Sequence, residues 1–156
     1  MVERINPQFL KLNKLRTIQI NLGDMCNQSC EHCHVQAGPA GRKAMSRLVM
    51  SKVIDFLGRR QDLTVDITGG CPELNPDFKF FLDNTCEPAS ALMVRTNLTV
   101  LLEPDMDWIA EWYSGHKVIL IASLPCYTGE NVDRQRGRGV FKKSIAALKM
   151  LNEFGY

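Results

Sequence analysis

The sequence predicts an α/β fold built on a parallel sheet, and three observations carry that expectation. Short apolar strands alternate four times with longer segments of helical period. No linker or low-complexity tract interrupts them. The residue types best suited to chemistry each fall just after a strand. Repeated strand–helix units imply right-handed crossovers, which either a barrel-like curl or an open doubly wound sheet satisfies. In both, chemistry gathers at the C-terminal ends of the strands.

Strands are expected at Thr17–Leu22, 63–68, Ala91–Thr96 and 118–124. Leu63, Val65 and Ile67 alternate with Thr64, Asp66 and Thr68, the period of two that one covered face produces. The fourth strand is continuously apolar, as expected where both faces are covered. Between them, Val49, Val53, Phe56 and Leu57 share a helical face after a Ser46 cap, and Phe141, Ile145 and Leu148 do so near the C-terminus. Asn75–Pro76 reads as an N-cap with proline at the first helical position, and Asp77 suits the helix dipole there. Trp108, Ile109 and Trp112 form a further stripe, started by Pro104 and expected to pack in the core.

Composition narrows the function. The 156 residues are 45% apolar and 23% charged, with 19 basic against 17 acidic side chains, which fits one globular domain with a real core. A net charge of +2 supplies neither a nucleic-acid footprint nor a polybasic membrane anchor. Residues 1–16 lack an apolar signal core, and the longest apolar run falls far short of the roughly 18 residues that span a bilayer. A cytoplasmic location follows as the expectation. The domain division is a lead-in over 1–16 and a core over 17–156. The chain stops at Tyr156 where another strand should begin, so four units predict an incomplete arc or a piece of a longer protein.

Six cysteines remain. In a reducing compartment clustered thiols point to metal or catalysis rather than disulfides. Cys26, Cys30 and Cys33 crowd into one loop after the first strand, at spacings of four and three. Three thiolates can hold three irons of a [4Fe–4S] cluster and leave one iron open. A structural zinc site needs a fourth ligand, which His32 or His34 could supply. A redox pair formed by Cys30 and Cys33 leaves the third cysteine unexplained.

Cys26-x3-Cys30-x2-Cys33 after a first strand resembles the signature of the radical S-adenosylmethionine (SAM) superfamily. Gly69–Gly70 after the second strand is similar to its glycine motif. Thr96–Asn97 and Ser123 match its ribose- and methionine-contacting positions, and Asp133-x2-Arg136-Gly137-x-Gly139-x-Phe141 its arginine–glycine stretch. Residues 33–39, 68–76, 97–103, 123–127 and 130–137 further resemble the arsenosugar-biosynthesis radical SAM family, whose members carry additional barrel strands and a cysteine-rich C-terminal domain that this sequence lacks.

The resemblance implies a partial (β/α) barrel of the radical SAM type and an enzyme that binds a [4Fe–4S] cluster and SAM. It would cleave SAM reductively to a 5′-deoxyadenosyl radical and add the deoxyadenosyl group to a methylated arsenic compound. An electron donor such as flavodoxin or ferredoxin and a small-molecule substrate are the partners it implies. Cys26, Cys30 and Cys33 would hold iron. Gly69, Gly70, Asn97, Ser123, Arg136 and His32 (the slot near adenine) would bind SAM, with Arg136 on its carboxylate and Arg134 and Arg138 as competitors.

Several residues keep alternatives. The glycines also suit a tight turn, Asn97 a turn cap, and His32 a solvated loop. Asp66 and Arg95 sit within strands, where they either pair or bind substrate. Cys71 and Cys126, both just past strand ends, are candidates to hold thiophilic arsenic, or else are small buried hydrophobes. Cys86, at a helix end, reads as structural. The competing functions are a zinc-binding module on the same cysteine loop and an inactive fragment.

Overall fold

The computed structural model describes residues 14–156, so most of the expected 1–16 lead-in lies outside the described residues. Four parallel strands form one sheet: β1 (Thr17–Asn21), β2 (Thr64–Thr68), β3 (Ala91–Thr96) and β4 (Ile119–Ala122). Their spatial order is β1-β2-β3-β4. A doubly wound sheet reverses its strand order part-way; this one steps always to the same side, which is the order of a (β/α) barrel. Right-handed crossovers then place every connecting helix on one face of the sheet.

The side-chain period explains the two faces. Ile20, Val65, Ile67, Leu92 and Val94 point to the helix side and are buried. They pack against α1 (Arg47–Gly58) through Met50 and Leu57, against α2 (Phe78–Thr85) through Phe81 and Leu82, and against α3 (Trp108–Gly115) through Ile109 and Tyr113. Phe78 and Tyr113 meet edge to face, their centroids 6.5 Å apart. The opposite face carries a polar cluster beside apolar residues: Gln19 stands beside Asp66 in the β1–β2 register and Arg95 follows on β3, while Met93, Ile119 and Ile121 share that face.

Some expectations need correction. β4 is not covered on both faces; it is an outer strand, and Ile119 is 48% exposed. Helix α2 starts at Phe78 rather than Pro76, because Asn75 turns its amide inward, donating to the Leu22 and Met45 carbonyls at 2.9 and 3.1 Å. Asp107, not Pro104, starts α3, its carboxylate accepting from the Trp108 amide. Ser46 does occupy the N-cap of α1, without a side-chain cap bond.

Two C-terminal helices complete the chain, α4 (Gly129–Arg136) and α5 (Val140–Glu153). The expectations above contain no helix at α4, whose buried side chains are only Val132 and Arg136. Among the described residues no helix is long and apolar enough to cross a membrane.

Candidate functional site

The long loop from β1 to α1 carries the three clustered cysteines, and a chain of backbone bonds shapes it. Asp24 donates to the Lys43 carbonyl at 3.0 Å, Gly38 to Asp24 at 3.1 Å and Cys26 to Gly38 at 3.1 Å. The loop is also clamped to the segment after β3. Gln28 donates to the Thr99 hydroxyl at 2.7 Å, and Asn27 donates to Glu103 at 3.0 Å. At its far side the Glu31 amide reaches the Gln135 carbonyl in α4.

This folding brings the thiols into one cleft of about 270 Å³ at the C-terminal ends of the strands. Cys26, Cys30, Cys33, His32, Gly69, Gly70, Asn97, Ser123 and Arg136 all line it. A larger groove of about 720 Å³ lies between β1 and the start of α1, but it holds no thiol and none of the candidate iron- or SAM-binding residues.

The sulfurs sit among donors. The Ala37 amide donates to Cys33 Sγ at 3.3 Å and the Asn97 amide to Cys26 Sγ at 3.5 Å. Burial pushes the Cys26 thiol up, with the neighbouring Cys30 and Cys33 adding to that, while bonds from Gln28 and Asn97 pull the other way. A positive metal centre would remove that penalty and favour the thiolates. Among the described residues no three His, Cys, Asp or Glu side chains converge closely enough to share a single ion. A cubane takes each cysteine on a different iron, and three thiols lining one cleft suit that arrangement.

Gly69 and Gly70 are pressed against this loop. Gly70 donates to Gly23 O at 2.9 Å, and a Cβ on it would stand 2.5 Å from the Met25 carbonyl oxygen and 2.7 Å from Ala37 Cβ. Gly69 has φ +151°, outside the range that L side chains adopt comfortably. Close backbone approach thus requires these glycines whatever they bind.

Asn97 is fully engaged. Its amide nitrogen donates to Asn27 at 2.6 Å and to Cys26, and its oxygen accepts from the Val100 amide and the Thr99 hydroxyl. It caps the 3₁₀ turn Thr99–Leu102 and braces Cys26 at once.

Arg136 is buried, 6% exposed. One Nη donates to the Ser123 carbonyl, and its buried Nε has no partner among the described residues. An unpaired guanidinium N–H at the cleft is a site for an acidic group. The helices on either side hold it there through Asp133, whose carboxylate accepts from the Gly139 amide at 2.7 Å and the Phe141 amide at 2.9 Å. Gly137 and Gly139, at φ +113° and +81°, make the turn that lets Asp133 reach them. That is the physical content of the Asp133-x2-Arg136-Gly137-x-Gly139-x-Phe141 pattern. Arg134 instead bonds Asn131 at the surface, and Arg138 is exposed.

The cysteines offered for arsenic are not brought into this cleft. Cys71 is 3% exposed, its thiol bonded to Glu73 at 3.1 Å, and Cys126 turns to Thr128 and Asn131. Neither lines the cleft, because the turn after β2 folds Cys71 beneath the loop and its amide donates to the Met25 carbonyl. Cys86 lies at the C-terminus of α2, bonded to the Asp83 carbonyl. Asp66 and Arg95 do pair.

Sequence reasoning missed the buried carboxyl of Glu73, which is 4% exposed and also accepts from the Tyr113 hydroxyl at 3.5 Å. It missed the clamps Asn27, Gln28 and Asn75 as well. Their only signal was polar residues crowded beside the cysteine and glycine motifs.

No protein-family model matches the chain. In structure it is similar to "Native anSMEcpe with bound AdoMet", with a TM-score of 0.69 and 18% identity, over 90% of this chain and 41% of that one. The chain has the fold of a radical SAM core. In sequence this core is 29% identical over 131 residues to the antilisterial bacteriocin subtilosin biosynthesis protein AlbA of Bacillus subtilis, and 30% identical over 131 residues to the mycofactocin maturase MftC of Mycobacterium ulcerans. The matches cover 83% and 84% of this chain, but only 29% and 35% of those proteins. The chain thus spans about a third of the length of the curated relatives it matches. The relatives support the radical SAM superfamily; none of those named is an arsenosugar protein.

Proposed function

We propose that residues 17–156 form the SAM-cleaving core of a radical SAM enzyme. One observation carries this reading: three free thiols and a buried arginine with an unpaired Nε face one cleft at the strand ends of a singly wound sheet. Cys26, Cys30 and Cys33 would each hold one iron of a [4Fe–4S] cluster. Bound there, cluster and SAM supply a one-electron reductive cleavage that yields a 5′-deoxyadenosyl radical.

The chain's own residues position and shield. Arg136 takes the SAM carboxylate on its free edge, while Ser123, whose carbonyl fixes that guanidinium, offers its hydroxyl to the same ligand. The Gly69–Gly70 backbone lets the methionyl end lie close to the sheet. His32, exposed at the rim, stands where an adenine ring could stack. Asn97 acts through Cys26 and the loop, since its amide has no free donor or acceptor left. An electron donor such as flavodoxin or ferredoxin supplies the electron. The six free thiols suit a reducing, cytoplasmic setting.

The finer reading is transfer of the deoxyadenosyl group to a methylated arsenic compound, supported by the motif resemblance over residues 33–39, 68–76, 97–103, 123–127 and 130–137. The relatives' names, a bacteriocin biosynthesis protein and a maturase, favour a second reading in which the same radical chemistry matures a biosynthetic precursor. Anaerobic reconstitution with iron and sulfide tests the core claim. The expected product is brown and, with strong reductant, converts SAM to methionine and 5′-deoxyadenosine. A colourless protein that binds one zinc and leaves SAM intact contradicts it. Consumption of dimethylarsinous acid, whose trivalent arsenic has a lone pair to accept the carbon radical, beside SAM supports the arsenic reading, and its persistence while SAM is cleaved favours the second.

A further inference from the structure

We propose that Arg95, held in place by Asp66 and Gln19, is the anchor for an oxyanionic group on the substrate, one layer further into the cleft than the thiol loop. This deepens the enzymatic reading above and rests on it for the assignment of Arg136 to SAM.

Among the ion pairs of the described residues this one differs in the burial of its carboxylate. Arg95 lies side-on to Asp66, with Nε 2.9 Å from Oδ1 and Nη2 2.9 Å from Oδ2. Gln19 Nε2 adds a third bond to Oδ2 at 2.9 Å. The Asp66 side chain is 8% exposed, yet that of Arg95 is 44% exposed. The carboxylate is therefore sealed beneath, and the guanidinium faces the cleft that it lines together with Gln19. Its Nη1, and the second hydrogen on Nη2, make no hydrogen bond among the described residues. A guanidinium gripped along one edge presents the other as a rigid fork, whose order is already fixed before a ligand arrives.

Charge counts the same way. The cleft lining holds two arginines, Arg95 and Arg136, and no aspartate or glutamate. SAM brings one carboxylate. With Arg136 engaged by it, Arg95 remains for a second oxyanion, a fork-shaped donor for a group with two oxygens on one centre. A carboxylate and a methylated arsenic oxyacid share that chemistry. Asp66 beneath offsets the charge, so the site favours a singly charged acid over a multiply charged one.

Calorimetric binding to the anaerobically reconstituted, SAM-loaded protein tests the inference, with dimethylarsinate, acetate and the uncharged dimethyl sulfone as probes. Dimethyl sulfone matches dimethylarsinate in methyls and oxygens but lacks its charge. Dimethylarsinate or acetate is expected to bind, whichever is tighter naming the source of the oxyanion, and the sulfone is not. Arg95→Gln is expected to weaken the anion at least tenfold. Arg95→Lys, which keeps the charge and the fold but loses the fork, is expected to fall between. Equal affinity in wild type and both variants, equal affinity for sulfone and anion, or no anion binding by the wild type overturns the inference. Iron content and SAM cleavage of the wild type are read separately. A protein that cleaves SAM but binds anions independently of Arg95 loses only this inference. One that assembles no cluster loses the enzymatic reading, and Arg95-dependent anion binding by it would still stand.

Discussion

Glu73 is a carboxyl enclosed by the fold, 4% exposed. Burial raises its carboxyl above the ordinary value of 4.5, against bonds from Cys71, its own backbone, Thr96 and Tyr113 that favour the anion. No cation lies against it in the described residues, so the folded chain holds the proton that the unfolded chain releases. Stability then falls as pH rises from the ordinary carboxyl range to the raised folded value, and is level beyond it. Glu73→Gln should remove that slope: its unfolding midpoint in urea is expected to match wild type in acid and exceed it at neutral pH. A variant weaker than wild type at neutral pH would show that the anion is accommodated.

The same scale shows what motif spacing can and cannot reveal. Cys26, Cys30, Cys33 and Arg136 are legible because their spacing and types have few uses other than binding. The engagement of Asn97 with Cys26, or the turn that takes Cys71 beneath the loop, depends on partners some seventy and fifty residues away, which no local pattern encodes.

At the scale of elements, two junctions carry the site. The β2 turn meets the cysteine loop at Gly70, where Gly70→Ala forces a methyl into the Met25 carbonyl. Backbone cannot give way as a flexible side chain can, so a loss of roughly 1–3 kcal/mol is expected. Thermal unfolding and iron content after reconstitution should fall together. Normal iron uptake would mean that the loop does not depend on this contact.

The α4–α5 junction meets the site through Asp133. Bonds from the Phe141 and Gly139 amides hold its carboxyl below the ordinary 3.8. A depressed acid contributes stability above the ordinary value and loses it as pH falls through the folded one. Asp133→Ala should therefore lower the melting temperature at neutral pH, with the difference shrinking in acid. A difference that persists at low pH would point to packing rather than charge.

The strands and α1 were readable from period and caps. Helix α4 was not, since its exposed polar face leaves only Val132 and Arg136 to bury and gives no apolar stripe. The run in β4 looked doubly covered because apolar composition alone cannot say whether a strand lies inside a sheet or at its border.

At the scale of the whole molecule, sequential strand order does what a doubly wound order would not. It leaves one face of the sheet without helices, and Arg95 on that face lines the cleft at the strand ends. It also leaves β4 unpaired along its outer side among the described residues, with Ile119 exposed. Unprotected edges of this kind invite pairing with other chains. Ile119→Lys is expected to reduce aggregation of the 156-residue chain in light scattering without changing its far-UV spectrum, and unchanged aggregation would direct attention to another surface.

The central claim is that three cysteines hold a cluster with one iron left for SAM. Low-temperature electron paramagnetic resonance of the reduced, anaerobically reconstituted chain, recorded with and without SAM, tests it most directly. A [4Fe–4S]⁺ signal whose shape changes when SAM is added is the result expected. A cluster signal indifferent to saturating SAM, or no cluster at all, contradicts it.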